Sequence, residues 1–153
     1  MTTRTGRGPI VVADDPLVEI EGTDLDRRMV ERACTGRFSP EEARTAPPAL
    51  LKKWFDPADD GGWQAKPALL RMTRFGVGDL PRMPVRTGRY DLIMCRNTVI
   101  YFTEEVRDAL LARLARALRP GGHLVVGTSE RVADPGGLGL TSPMHFIYRR
   151  HGG

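Results

Sequence analysis

The sequence predicts an α/β fold built on an open, mostly parallel sheet, and three observations predict it. Residues 90–130 read without a gap as strand, polar turn, amphipathic helix, glycine turn and second buried strand, which is one βαβ unit. Residues 18–34 repeat the strand-then-helix order. Both units end their first strand on short polar residues, Thr23-Asp24 and Arg96-Asn97-Thr98, and the carboxyl ends of parallel strands are where such sheets open their ligand crevice.

Length and composition describe one domain. A chain of 153 residues can bury about 70% of the surface its unfolded form exposes, enough for a real core. The formal charge of +4 comes from 23 basic and 19 acidic residues spread along the chain, without the Lys/Arg runs of nucleic-acid arms, so no nucleic-acid partner is expected. Cys34 and Cys95 are too few for a disulfide framework, which fits a reducing, cytoplasmic setting. The first residues lack the apolar core of a signal peptide, and no run approaches the ~18 apolar residues of a spanning helix, so a soluble chain without membrane insertion is expected.

Taken in order, residues 1–16 are rich in Gly, Arg, Asp and Pro around the apolar patch Pro9-Ile10-Val11-Val12-Ala13, and read as a loose entry segment. Residues 18–22 alternate like a strand, and 27–34 continue as a helix whose apolar face is Met29, Val30 and Ala33. Ser39 and Glu42 have capping-box spacing with Pro40 at the first helical position, so a short helix starts there and stops before Pro47-Pro48. A helix over 49–55 and a turn-rich loop over 56–62 follow. Residues 63–66 and 69–75 are predicted to be the arms of a small antiparallel insert, spanning about 56–75, and Trp54, Phe55 and Trp63 read as core residues rather than a ligand platform.

Gly76-Val77-Gly78-Asp79-Leu80 leads through a Pro-rich loop to the central unit, whose first strand, DLIMC at 91–95, is too short for a helix. Thr103 reads as a helix N-cap, with Glu104 and Glu105 in the first turn where the helix dipole favours negative charge. Val106, Leu110, Leu111, Leu114, Ala117 and Leu118 form the buried stripe. Arg119-Pro120-Gly121-Gly122 reads as the helix stop, and HLVVG at 123–127 returns as a strand parallel to the first through a right-handed crossover. Residues 144–150 read as a last strand.

Asp24 is the first candidate for chemistry, because a short carboxylate on a rigid strand end can accept two hydrogen bonds from ribose hydroxyls. Spacing alone equally allows Asp24 or Asp26 to cap the following helix. His123, His145 and His151 are scattered and, with two lone cysteines, match no metal-ligand pattern, so no metal is expected. Neither Ser129 nor Cys95 has a nucleophile-elbow context.

The stretch DLIMCRNTVIYF at 91–102, with LRPGG at 118–122 and GTSE at 127–130, resembles the CheR-type chemotaxis-receptor methyltransferases, which use S-adenosylmethionine to esterify receptor glutamates. Residues 18–33 look like that family's second strand and helix, and GRFS at 36–39 with LLKKWF at 50–55 looks like its helical insert, so the resemblance covers roughly 18–150. It implies a Rossmann-like class I methyltransferase sheet over 17–153 with a small inserted β subdomain, S-adenosyl-L-methionine as cofactor, and a chemotaxis receptor or other acidic protein as acceptor. By the same resemblance Asp24 would hold the ribose, Gly78 and Asp79 would touch the adenine end, and Asn97 and Thr98 would supply contacts after the fourth strand. No catalytic residue is assigned; Arg96 and Tyr101 are as suited to pairing with Asp24 or Asp91 and packing under the helix as to catalysis.

The family pattern also implies a first strand followed by a glycine-rich turn of the GCSTGEEPYS type, and this chain contains no such run. Gly6 and Gly8 precede the apolar patch instead of following a strand. The sheet is therefore expected to lack its normally central first strand, leaving two exposed parallel edges unless residues 9–13 fill the gap. Two functions compete: a truncated protein-glutamate O-methyltransferase, or a catalytically inactive methyltransferase-fold remnant acting as a protein-interaction module. A nucleic-acid methyltransferase is weaker, with no N/D-PP-Y/F motif or basic stripe. Weak or no binding of S-adenosylhomocysteine is expected.

Overall fold

The computed structural model describes residues 2–5 and 18–152. In chain order the elements are β1 (Thr2–Thr5), β2 (Val18–Asp24), α1 (Arg27–Thr35), β3 (Arg37–Phe38), α2 (Pro40–Ala43), α3 (Pro48–Trp54), β4 (Phe55–Pro57) and β5 (Trp63–Ala65). They continue as α4 (Pro67–Met72), β6 (Thr73–Val77), β7 (Tyr90–Cys95), a 3-10 turn (Val99–Tyr101), α5 (Glu104–Ala117), β8 (Leu118–Val126), β9 (Leu140–Met144) and β10 (Ile147–Arg150). The main sheet has the order β6-β2-β1-β7-β8-β10-β9.

The two units read from the sequence are both present. β7 and β8 are parallel, with Ile93 opposite Leu124 and Cys95 opposite Val126. β2 and β6 are also parallel, with Asp24 opposite Val77, so the carboxyl ends of β2, β6 and β7 share one edge. α5 buries Leu110, Leu111, Leu114, Ala115 and Ala117 in a cluster with Ile93, Cys95, Leu124, Val126 and Tyr148. Each fully buried leucine of that cluster contributes about 1.5–3 kcal/mol. Val106, expected in the stripe, is 38% exposed in the first turn.

The centre of the sheet differs from expectation. β1 stands between β2 and β7 and is antiparallel to both: Thr2 faces Glu21 and Ile93, and Thr5 faces Val18. The loose entry segment read over 1–16 is corrected for these four residues, and the slot of the first strand is filled. The apolar patch at 9–13 lies outside the described residues. A short strand of threonines and an arginine serves because the backbone ladder is independent of side-chain identity, and it pairs residues 18–21 of β2 and 92–93 of β7.

Local chemistry explains the other departures. The insert is a three-stranded sheet, β3-β5-β4, with Phe38 opposite Trp63 and Phe55 opposite Ala65, so it spans 37–65 and not 56–75. Residues 69–75 are not its arm: Pro67 starts α4, and Thr73–Val77 joins the main sheet as β6. The ring of Phe38 meets that of Phe55 edge-on at 5.6 Å, and Trp54, Phe55 and Trp63 are half-buried. Helix α5 ends at Ala117, before the LRPGG run, which is a bulge inside β8: β7 advances from Tyr90 to Leu92 while β8 advances from Leu118 to His123. An added Cβ on Gly122 would lie 3.0 Å from the carbonyl oxygens of Arg119 and Tyr90, so glycine permits the close approach. The expected last strand is a hairpin, β9 with β10, turning through Phe146 at φ 64°.

Candidate functional site

At the end of β2 the two aspartates take different tasks. Asp26 is the N-cap of α1: its carboxylate accepts from the Arg28 backbone N–H at 2.8 Å and pairs with the Arg28 guanidinium at 3.0 Å. The side-chain bond from Arg28, followed by its backbone N–H, holds the Asp26 carboxyl below the usual carboxylate range. Asp24 is therefore not needed as the cap. Its Oδ1 accepts from the Asp26 N–H at 2.8 Å, and among the described residues its Oδ2 has no partner.

The end of β6 is locked to that of β2 by the Gly78 N–H, which donates to the Asp24 carbonyl at 2.9 Å. Asp79 then turns the chain, its carbonyl accepting from the N–H groups of Arg82 and Met83, while its carboxylate lies 3.4 Å from the Arg82 guanidinium. Arg113 of α5 donates to the carbonyls of Pro81 and Met83, which fixes this loop against the helix.

The end of β7 is organised by a residue the sequence reading did not single out. Glu130, 3% exposed, is the one buried charged side chain among the described residues. Its carboxylate accepts from the backbone N–H groups of Asn97 (3.0 Å), Thr98 (2.8 Å), Val99 (2.9 Å) and Gly127 (2.6 Å). An added Cβ on Gly127 would meet Asn97 Oδ1 at 2.5 Å and Glu130 Oε2 at 2.7 Å, so only glycine admits this approach. Burial, and then the Glu130 charge, push the neighbouring Cys95 thiol up to about 11, so it stays protonated at neutral pH and is no nucleophile.

These three strand ends enclose a cleft of about 350 Å³. Its walls are Thr23, Asp24 and Leu25 after β2; Gly78, Asp79, Leu80 and Pro81 after β6; Ile93, Met94 and Cys95 of β7; then Thr98, Tyr101, Phe102 and Leu114. Of the residues expected to contact a ligand, Asp24, Gly78, Asp79 and Thr98 come together on this cleft. Asn97 does not line it; its side chain lies over Gly127. The backbone N–H groups of Asn97 and Thr98 are already committed to Glu130, and the Thr98 hydroxyl donates to the Arg96 carbonyl at 3.1 Å. The backbone N–H groups of this turn are therefore not free to donate to a ligand.

Two further expectations are corrected. Asp91 pairs with Arg119 at 3.0 Å, and Arg96 is exposed with no ion pair among the described residues. Tyr101 is 81% exposed at the cleft rim, beside Leu25 at 72%, and does not pack under the helix. Glu130 escaped the sequence reading because three of its four partners lie 31 to 33 residues upstream in the chain. The signal that could have found it is the GTSE run at the end of a buried strand. Among the described residues no group of three His, Cys, Asp or Glu side chains could hold a metal ion, and no helix is long and apolar enough to cross a membrane.

A family model described as "CheR methyltransferase, SAM binding domain" matches residues 11–140. The chain is 35% identical over 113 residues to the chemotaxis protein methyltransferase Cher2 of Pseudomonas putida, covering 73% of this chain and 41% of that protein. It is 31% identical over 141 residues to the chemotaxis protein methyltransferase of Vibrio parahaemolyticus, covering 86% and 46%. It thus spans less than half the length of these curated relatives. The solved structure of a "possible exported protein" from Bordetella parapertussis superposes with a TM-score of 0.55 over 90% of this chain and 55% of that one, at 16% identity, a likeness of fold alone.

Proposed function

The chain belongs to the CheR methyltransferase family, and from that premise we propose that its cleft takes the adenosine part of S-adenosylmethionine in a protein-glutamate O-methyltransferase. The sheet is the Rossmann-like α/β sheet of class I methyltransferases. The observation that carries the proposal is Asp24, a carboxylate with one oxygen free among the described residues, at a strand end beside Gly78 and Asp79 on the cleft wall. A ribose diol donates two hydrogen bonds and a carboxylate accepts them, and the cleft volume lies in the ~300–1,000 Å³ range of small-molecule sites.

The exposed apolar groups Leu25 and Tyr101 flank the space beside Asp24, where a planar base can stack. The residues present fit the adenosine half of the cofactor; the glycine-rich turn that would hold its methionine half does not occur in the sequence. When bound, the sulfonium supplies an already activated methyl group. A glutamate carboxylate is a nucleophile at neutral pH, so the protein's contribution is to align the partners and exclude water, with no general acid or base required.

The acceptor in this reading is a glutamate of a chemotaxis receptor or another acidic protein, and the setting is the cytoplasm. Support comes from the family and from relatives named chemotaxis protein methyltransferases. Calorimetry with S-adenosylhomocysteine on the 153-residue chain tests the cofactor site. The expected result is weak binding that drops by about tenfold or more in Asp24→Ala, the loss of a charge-assisted pair of hydrogen bonds. No heat and no thermal shift from the unaltered chain would reject it in favour of an inactive remnant serving as an interaction module.

A further inference from the structure

We propose that Glu130 is a positioning residue: its carboxylate is the internal anion of a backbone nest, and it holds the turn after β7 in the shape that makes it a cleft wall. The proposal rests on the ligand reading of the cleft. Glu130 does not line the cleft and would act only through the residues it holds.

Three consecutive N–H groups, from Asn97, Thr98 and Val99, converge on the carboxylate at 2.8–3.0 Å. They can do so because Asn97 is left-handed, at φ 55°, while Thr98 is right-handed, at φ −115° and ψ −44°. Successive residues of opposite backbone hand turn their N–H groups inward and form an anion-binding concavity. Such nests usually take a phosphate or carboxylate from a ligand. Here the chain supplies its own, and the fourth donor, Gly127 at the end of β8, makes the same carboxylate a staple between two strand ends.

Removing the anion leaves buried N–H groups without partners and deprives Asn97 of what offsets its uncommon backbone conformation. The residues displaced first are those that follow directly. Val99 is 1% exposed in the core, and Thr98, Tyr101 and Phe102 wall the cleft. A buried glutamate that merely filled space would leave the same residues in place when replaced by glutamine. One that supplies charge to a nest cannot be so replaced.

Amide NMR of the whole chain, with formate as the probe anion, separates the two. In the unaltered chain the amides of Asn97, Thr98, Val99 and Gly127 should be downfield and protected from exchange. Glu130→Ala should shift them and remove the protection, and excess formate should restore both, whereas chloride at equal ionic strength should not. Glu130→Gln, which keeps the volume in case the alanine variant folds poorly, should also lose the downfield positions. Titration with S-adenosylhomocysteine in the same spectra should show affinity about tenfold weaker in Glu130→Ala and recovered with formate, as expected for buried donors left unpaired. Unchanged amide positions in Glu130→Gln, or a formate effect on melting temperature that leaves the Thr98 and Val99 amides unmoved, would overturn the proposal. If the unaltered chain does not bind S-adenosylhomocysteine, the cofactor reading falls, and the amide response to formate still decides the role of Glu130.

Discussion

At the end of β2, Asp24 and Asp26 stand two positions apart with the same side chain, and the sequence spacing leaves open which of them caps α1. Hydrogen bonding decides it: Asp26 receives the Arg28 N–H, and Asp24 is left facing the cleft. Asp26→Ala should accordingly lower the stability of the chain while leaving S-adenosylhomocysteine binding unchanged, the reverse of Asp24→Ala. The deeper residue of the site behaves differently. Cys95, whose thiol is pushed up to about 11, keeps its proton in the folded chain while an unfolded chain loses it near the ordinary value of 9.0. Unfolding then releases a proton between these values, so stability should fall as pH rises from 9.0 toward about 11, and Cys95→Ala should flatten that slope in urea titrations. At pH 8 an aromatic disulfide reagent should modify exposed Cys34 and spare buried Cys95. Asp24 was legible in the sequence because its place depends on one strand and the turn after it. Glu130 was not, because its meaning depends on a contact between two strand ends that no local spacing encodes.

The elements illustrate the same limit from the other side. α5 was legible from its apolar repeat, and Thr103 stands at its N-cap with Glu104 and Glu105 in the first turn as the sequence reads, yet neither end is held by its own side chains. Thr103 occupies the N-cap without a side-chain bond to the helix, and the carboxyl end is closed from afar. Arg150 of β10 donates to the carbonyls of Arg116 at 2.7 Å, Ala115 at 3.4 Å and Leu118. Arg150 adds a second donor to carbonyls that already accept from the Leu118 N–H, at Ala115, and from the Gly88 N–H, at Arg116, and a cation there also opposes the negative end of the helix dipole. Arg150→Ala should cost about 1.5–3 kcal/mol in chemical unfolding, and Arg150→Lys should recover only part, because the three bonds converge on one terminal guanidinium nitrogen that lies one bond farther along the side chain than a lysine ammonium reaches. A stability equal to that of the unaltered chain would remove Arg150 from this role. The LRPGG run misleads for a related reason: glycine after a helix signals a stop, but the same glycines serve a bulge where β8 crosses close to Tyr90. β3, two residues long, carries no period at all and could be found only through its partner β5.

Across the whole molecule the buried residues fall into unequal parts. A large cluster joins β7, β8, β10 and α5, whereas Val30, Ala43, Ala65 and Met72 lie buried outside it, on the side of β2, β6 and the insert. The sheet crosses from one side to the other through β1, assisted by Glu21, whose carboxylate accepts from the Tyr90 hydroxyl at 2.8 Å and from the Arg89 guanidinium. That bridge should make β1 a determinant of cooperativity. Thr3→Pro, which removes a donor from a strand flanked on both edges, should lower the melting temperature by about 5 °C or more, and an unchanged calorimetric transition would take β1 out of the frame. The α/β class, the parallel pairs and the shared edge of strand ends could all be read from periodicity, since each follows from where apolar residues repeat. The filling of the central slot could not, because a strand without apolar residues leaves no such trace. Its direction has a practical side. Thr2 faces Ile93, a wall of the cleft, whereas β10 runs antiparallel to β8 toward the opposite edge, where Arg150 reaches the Leu118 carbonyl at the start of β8. A fluorophore or purification handle joined ahead of residue 2 would enter the molecule at the mouth of the cleft and report on, or obstruct, whatever settles there; one joined after residue 153 would leave that mouth clear.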